Sequence, residues 1–355
     1  MRKGNSINEE EHIFCKEIKS ISSYKTKIVF RKHTHKINHV DLQKNLLMTS
    51  GNDDLIIIID LTTLKYIFQY YDIINGTSFC RFLDPLSSTS STRIIYYGPK
   101  SFKLYIYDYI KNEILLIVNL LRESLYHLEY KGKSNLVITS QENNCIIWKL
   151  NENNMKACYK LKNSYYAIVD EEKRHIISAA IKYKNEIEYT SLSIYRYDNN
   201  RDLNMILDHE MKLDLEYNIE VMNLYKTNEY YFLLLISEFN FDIIQLDDDT
   251  FAFQLSLGKN KNLKFSYIEP VFTKEILLGF NNGDVELVNP FWEKERIKQI
   301  IEVKNKKKEN INKFIKEVKD NEPKHEESVV QIKVSDYYPF YVSIADEMII
   351  YQLKE

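Results

Sequence analysis

The sequence predicts an all-β chain folded as a closed ring of blades, a seven-bladed β-propeller. Three observations carry this reading. A short apolar run ending in a polar and then an apolar residue recurs seven times along the 355 residues. The recurrences are spaced at about the length of one four-stranded blade. Each one also follows a second β-rich run that ends in turn-forming residues.

The recurring unit is first met in "TSGNDDLIIIIDL", residues 49–61, where aspartates frame an unbroken apolar run. Alone, such a run fits a buried strand or a core helix equally well. Its echoes are "LYIYDY" (104–109), "CIIWKL" (145–150), "LSIYRY" (192–197), "FDIIQL" (241–246), "DVELVNP" (284–290) and "EMIIYQL" (347–353). The matching polar positions are Asp60, Asp108, Lys149, Arg196, Gln245, Asn289 and Gln352, with intervals of 48, 41, 47, 49, 44 and 63. Only the last departs from a blade period, and residues 304–327, "KNKKKENINKFIKEVKDNEPKHEE", explain it as a charged insertion. Inside that insertion Ile311, Phe314, Ile315 and Val318 follow helical spacing, which predicts a short amphipathic helix.

The neighbours of each echo complete the blade. Upstream lie runs such as "LLMTSGNDD", "RIIYYGPKS" and "NLVITSQENN", which read as strand and tight turn. Downstream, "LKYIFQYY", "NEILLIVNL" and "TFAFQLSL" supply outer strands. "KTKIVFRK" (25–32) has no partners nearby, and the chain ends just after the echo in "IIYQLKE". Residues 25–32 are therefore expected to add the outer strand of the last blade, a closure that removes exposed sheet edges. The echoes are read as inner strands lining an aliphatic and aromatic channel. The expected organisation is a tail over residues 1–20 and a propeller over 21–355.

Composition limits the function classes. Hydrophobic residues at 44% and aromatics at 13% describe a globular chain with a sizeable core. A formal charge of −3 gives no electrostatic reason to expect direct binding to nucleic acid or an anionic membrane. Cys15, Cys80, Cys145 and Cys158 have no CxxC spacing, which suits a reducing compartment. The charged N-terminal stretch lacks the apolar segment of a secretory signal, and no run reaches the length of a membrane span.

The pattern resembles that of WD-repeat proteins in a degenerate form. "TSQENNCIIWKL" keeps Ser140, Glu142 and Trp148 at family positions, with Lys149 in place of the usual aspartate; the first repeat keeps Asp60 but has Ile59 for the aromatic. The family's hydrogen-bonded His-Ser-Asp-Trp network is thus expected to be mostly missing. Burial of branched aliphatics is expected to stabilise the fold instead, at roughly 1.5–3 kcal/mol per fully buried side chain. Residues 25–150 resemble one subfamily more closely. Val29-Phe30-Arg31, Lys36-Ile37-Asn38, Asp41, Ser50, Asp53-Asp54 and Asp60 fall in its register. So do Tyr71, Gly76 and Arg81, while Ser78 replaces its aspartate. That subfamily is the small WD-repeat subunit of the COMPASS histone lysine methyltransferase complex, shared in fungi with the cleavage and polyadenylation factor and found in animals in a nuclear phosphatase complex.

No catalytic signature is present: there is no Walker A loop, GxGxxG, GxSxG or HExxH. The cluster His33, His35 and His39 offers metal-ligand types, but the solvated-loop reading is preferred because no cysteine or acid completes the set. Of Asp53 and Asp54, one is expected to hold a turn and the other to face a partner. Asp247-Asp248-Asp249 reads as a polar turn, "LSSTSSTR" (86–93) as a connector and Lys304–Lys308 as a solvated run.

The resemblance implies a non-enzymatic scaffold without cofactor or metal, in the nucleus, bound as one copy to a methyltransferase or 3′-end-processing subunit. Its expected partner face carries Asp53, Asp54, Tyr71, Gly76, Arg81 and Lys100. A cytoplasmic adaptor in trafficking, assembly or ubiquitin-ligase substrate selection is the alternative.

Overall fold

The computed structural model describes residues 24–353 except 31, 84–91, 152–153, 185–186, 199–202, 213–218, 227–230, 238–239, 247–250, 259–264, 272–274, 284, 289–328, 335–339 and 346–347. The tail, the 304–327 insertion with its expected helix, the 247–249 turn and most of the 86–93 connector lie outside the described residues. What is described is an all-β propeller without helices.

Five blades of four antiparallel strands follow one another along the chain, over residues 37–71, 80–119, 125–162, 164–212 and 221–258. A sixth blade closes the ring and joins the two ends of the chain. In it Tyr24–Phe30 pairs with Met348–Leu353, which pairs in turn with Phe340–Ile344 and then Gln331–Val334. Between the fifth and closing blades lies a sheet with three described strands, Phe265–Val271, Glu275–Phe280 and Val285–Val288. Seven complete blades were expected; the structure shows six, because residues 289–328, where a fourth strand of that sheet would be sought, are not described.

The unbroken apolar run has a simple cause. Blades stack face against face, so a strand inside one is buried on both sides. In Leu55–Asp60, Leu55, Ile57 and Ile59 pack with Leu47 of the same blade and with Val342 and Ile350 of the closing blade. The alternate residues Ile56 and Ile58 pack with Ile94, Tyr96 and Tyr107 of the second blade. Similar clusters fill the spaces between the later sheets. The polar residue ending the run stops the strand. The Asp60 carboxylate accepts hydrogen bonds from the Thr62 amide (2.8 Å), the Thr62 hydroxyl (2.6 Å) and the Thr63 amide (3.2 Å). Burial alone would raise its pKa, but these donors hold it below the usual value. Asp108 repeats the arrangement with the Ile110 and Lys111 amides, each at 3.0 Å.

One expectation is corrected. The echoes are not the innermost strands. Sheet order places Leu55–Asp60 third, behind Ile37–Gln43 and Leu46–Gly51. The first strands of neighbouring sheets pack against one another around the axis. The apolar run thus marks the middle of a blade, where burial is two-sided, and not the wall of the channel.

Ile349 sits in the closing strand and pairs with Val29 on one side and Ser343 on the other. Ile349→Pro removes a ladder donor inside a doubly paired strand, and urea denaturation is expected to show a loss of about 3 kcal/mol or more.

Candidate functional site

Two places gather functional side chains: the channel wall and the loop face of the first two blades. At the wall the geometry begins with a backbone problem. The first strand of every sheet is an edge strand, so its outward backbone groups have no ladder partner. The side chain of one first strand reaches the backbone of the next. The Phe82 amide donates to Asp41 (2.8 Å), the Val169 amide to Glu129 (2.9 Å) and the Val40 amide to the Gln331 side-chain oxygen (2.7 Å). In the opposite polarity, Arg81 Nε donates to the Leu128 carbonyl (3.1 Å) and the Asn223 amide group to the Ile268 carbonyl (3.5 Å). The Ile219 amide donates to the Tyr165 hydroxyl (2.9 Å), and Lys333 Nζ to Glu269 (3.0 and 3.2 Å). Every junction between neighbouring sheets carries a polar link; six join a side chain to a backbone group, and Lys333–Glu269 joins two side chains.

This belt brings charged groups together near the axis. Arg81 Nη1 is 2.9 Å from Asp41 Oδ1, with both side chains largely covered. His39 packs against Phe79 at 5.4 Å between ring centroids, and His127 stacks on Tyr166 at 4.5 Å. Burial first, and then the Arg81 and Lys333 charges, push the pKa of both histidines well below the ordinary value. They are therefore neutral at pH 7. Cys80 lies 3.9 Å from His39 Nδ1, and burial pushes its thiol up to about 12, far from a reactive thiolate. Burial likewise raises the phenols of Tyr166 and Tyr267. The expectation of an aliphatic and aromatic channel is thus overturned. The wall is formed by the first strands, whose polar residues alternate with apolar ones, and not by the apolar runs.

The three histidines of the expected cluster go to three environments. His39 joins the channel belt, and His35 is exposed, with Nδ1 3.1 Å from the Thr34 hydroxyl. The side chain of His33 is buried instead of solvated. Its Nδ1 lies 2.8 Å from Asp53 Oδ1 and its Nε2 2.9 Å from the Thr49 hydroxyl. A carboxylate only accepts, so Nδ1 carries the proton, and in the neutral ring Nε2 accepts from Thr49. Asp53 also accepts the Thr34 amide at 2.8 Å. The first blade thus keeps a histidine–aspartate–hydroxyl network that was expected to be missing. In the third blade Trp148 Nε1 donates to Thr139 (2.9 Å), not to Ser140, which contacts Cys145.

On the loop face, Asp54, Gly76, Lys100 and the residues after Tyr71 meet. Lys100 Nζ binds Asp54 Oδ2 (2.5 Å) and the Ile73 carbonyl (3.1 Å), so Asp54 is engaged by the neighbouring blade instead of standing free. Gly76 has φ +72°, and a Cβ there would come within 3.2 Å of Asp54 Oδ1 and of Pro99. The buried Asp72 organises the loop by accepting the Asn75 amide (3.0 Å), the Asn75 side chain (3.0 Å) and the Tyr96 hydroxyl (2.8 Å). The result is a fixed loop presenting Ile73 at 71% and Ile74 at 84% exposure, next to the exposed Tyr71. Sequence reasoning named Tyr71 and Gly76 but missed the two isoleucines between them; adjacent apolar residues in a connecting loop were the available signal. Arg81 is not on this face. It belongs to the channel belt.

Compared with known protein families and with curated proteins, the chain matches none.

Two predictions follow from this geometry. At Gly51 an added Cβ would lie 2.6 Å from His33 Nδ1 and 2.7 Å from Asp53 Oδ1. Gly51→Ala is expected to cost about 2–4 kcal/mol in chemical denaturation, by displacing His33 from Asp53. The channel histidines set an acid dependence. Their folded pKa lies below the unfolded value, so their neutral-state stability is fully present above about pH 6.5. It is lost as pH falls, by up to about 1.4 kcal/mol per pH unit for each histidine. Urea midpoints measured between pH 7.5 and 5 are expected to fall, and a His39→Gln/His127→Gln variant to flatten that slope.

Proposed function

We propose that the protein is a non-enzymatic adaptor that presents the loop face of its first two blades to a larger protein partner. The observation carrying this reading is the pair Ile73 and Ile74, nearly fully exposed on a loop fixed by Asp72, Asp54 and Lys100. Exposed aliphatic residues on a rigid loop lose little conformational entropy on binding, which suits an interface anchor. The propeller fold is consistent with a scaffold role. In the finer reading, the sheet over 265–288 counts as a seventh blade, and the in-register residues 25–150 point to the COMPASS-type WD-repeat subunit. The partner is then a histone methyltransferase or 3′-end-processing subunit in the nucleus, and any transferase chemistry belongs to it. The channel acids support this absence of catalysis, since Asp41, Glu129 and Glu269 are engaged in the links that join the sheets. A net charge of −3 favours protein over nucleic acid or membrane as the direct contact.

Affinity purification with mass spectrometry tests it. The wild-type chain is expected to recover methyltransferase or 3′-end-processing subunits. An Ile73→Asp/Ile74→Asp variant, with unchanged melting temperature, is expected to lose them. Recovery of coat or ubiquitin-ligase subunits would replace the nuclear reading with the cytoplasmic one. Partner capture unaffected by the variant would move the interface elsewhere.

A further inference from the structure

The outermost strand of the second blade, Glu113–Asn119, reads EILLIVN. One of its backbone edges pairs with Lys103–Asp108, and the other pairs with no described strand. From Ile114 to Val118 there is no polar side chain. Ile114, Leu115 and Ile117 are 43%, 41% and 50% exposed, while Leu116 and Val118 turn inward onto a cluster containing Trp148 and Met155. An exposed, uncharged, aliphatic edge is a template for another strand, and proteins ordinarily blunt such edges with charge. The third blade does so. Its outermost strand, Met155–Lys162, carries exposed Lys156, Lys160 and Lys162. Among the described outer strands only Glu113–Asn119 carries five aliphatic side chains in a row.

We propose that this edge takes a fifth strand from another protein, an extended segment with aliphatic side chains at its centre and acidic residues at its flanks. Each part of that description answers a feature of the site. The unpaired ladder accepts only an extended backbone, through alternating amide and carbonyl contacts. Leu115 and Ile117 take aliphatic neighbours in cross-strand pairs. Lys160 pairs with Ile146, which shares a cluster with Leu116 and Val118, so Lys160 and Lys162 lie on the face of the third blade turned toward this strand; they give that side a positive rim that acidic flanks complement. The site lies on the outer rim, apart from the loop carrying Ile73 and Ile74, and does not rest on the adaptor reading of that loop.

The test uses the full chain and fluorescein-labelled synthetic peptides in fluorescence anisotropy. The probe is DEIVVIVED; its comparators are KKIVVIVKK and a DEIVVIVED form N-methylated at alternate amides. The acidic peptide is expected to bind. N-methylation, Leu115→Lys and Ile117→Lys are each expected to weaken it at least about tenfold. Lys160→Glu/Lys162→Glu is expected to lower affinity for the acidic peptide and raise it for the lysine-ended one. Circular dichroism and melting temperature confirm that these exposed substitutions leave the fold intact. Absence of binding, or binding indifferent to the Leu115 and Ile117 variants, overturns the proposal. So does a homodimer, seen by light scattering, that those variants dissolve, because the edge would then be filled by a second copy.

Discussion

An edge strand facing inward is the constraint on which this propeller depends. Radial packing of the sheets buries their faces, but it leaves the first strand of each with one line of backbone amides and carbonyls near the axis. No ladder reaches them, and a buried amide without a partner is destabilising by roughly 1–3 kcal/mol. Side chains resolve the conflict by reaching across each junction, as Asp41 does to Phe82, Glu129 to Val169 and Gln331 to Val40. The same positions decide what the first strands look like. Residues facing forward are polar, and those between them, Val40, Phe82, Leu128, Ile268 and Ile332, are buried and apolar.

Much of this was legible, and the gaps have physical reasons. The apolar echoes identify strands because two-sided burial demands an unbroken run, and the terminal aspartates mark turns because their carboxylates accept the next amides. Periodicity reports burial, however, and not distance from the axis. The echoes were therefore read as innermost, although Leu55–Asp60 is third in its sheet. The true wall was visible as short alternations, "HVDL" and "HLEY", in which His and an acid share one face two residues apart. Single-residue register also escaped the sequence: Trp148 finds Thr139 although Ser140 is adjacent. His33 was misplaced for a similar reason, since its partners Thr49 and Asp53 are brought to it only when the first blade forms.

The loop face shows how a buried charge can organise a surface. Asp72 sits below the loop and satisfies both the turn at Asn75 and the Tyr96 hydroxyl, while Lys100 ties the loop's carbonyl to Asp54 on the neighbouring turn. Two blades thereby share one loop, so the position of Ile73 and Ile74 reports how those blades are packed. The Tyr70, Tyr96, Tyr105 and Tyr107 rings, with centroids 4.7–6.1 Å apart in successive contacts, fill the space beneath.

The closing blade joins Tyr24 to Leu353 across a single rung, so the first and last strands of the described chain end up as neighbours. During synthesis the ribosome releases one of them more than three hundred residues before the other. Every earlier blade can assemble as it emerges, yet the ring stays open until translation has passed the final strand. The molecule is thus committed to a late, long-range closure, the slow kind of contact in folding because loop entropy must be overcome before any pairing is gained. Until that moment the strand Tyr24–Phe30 waits without its partner.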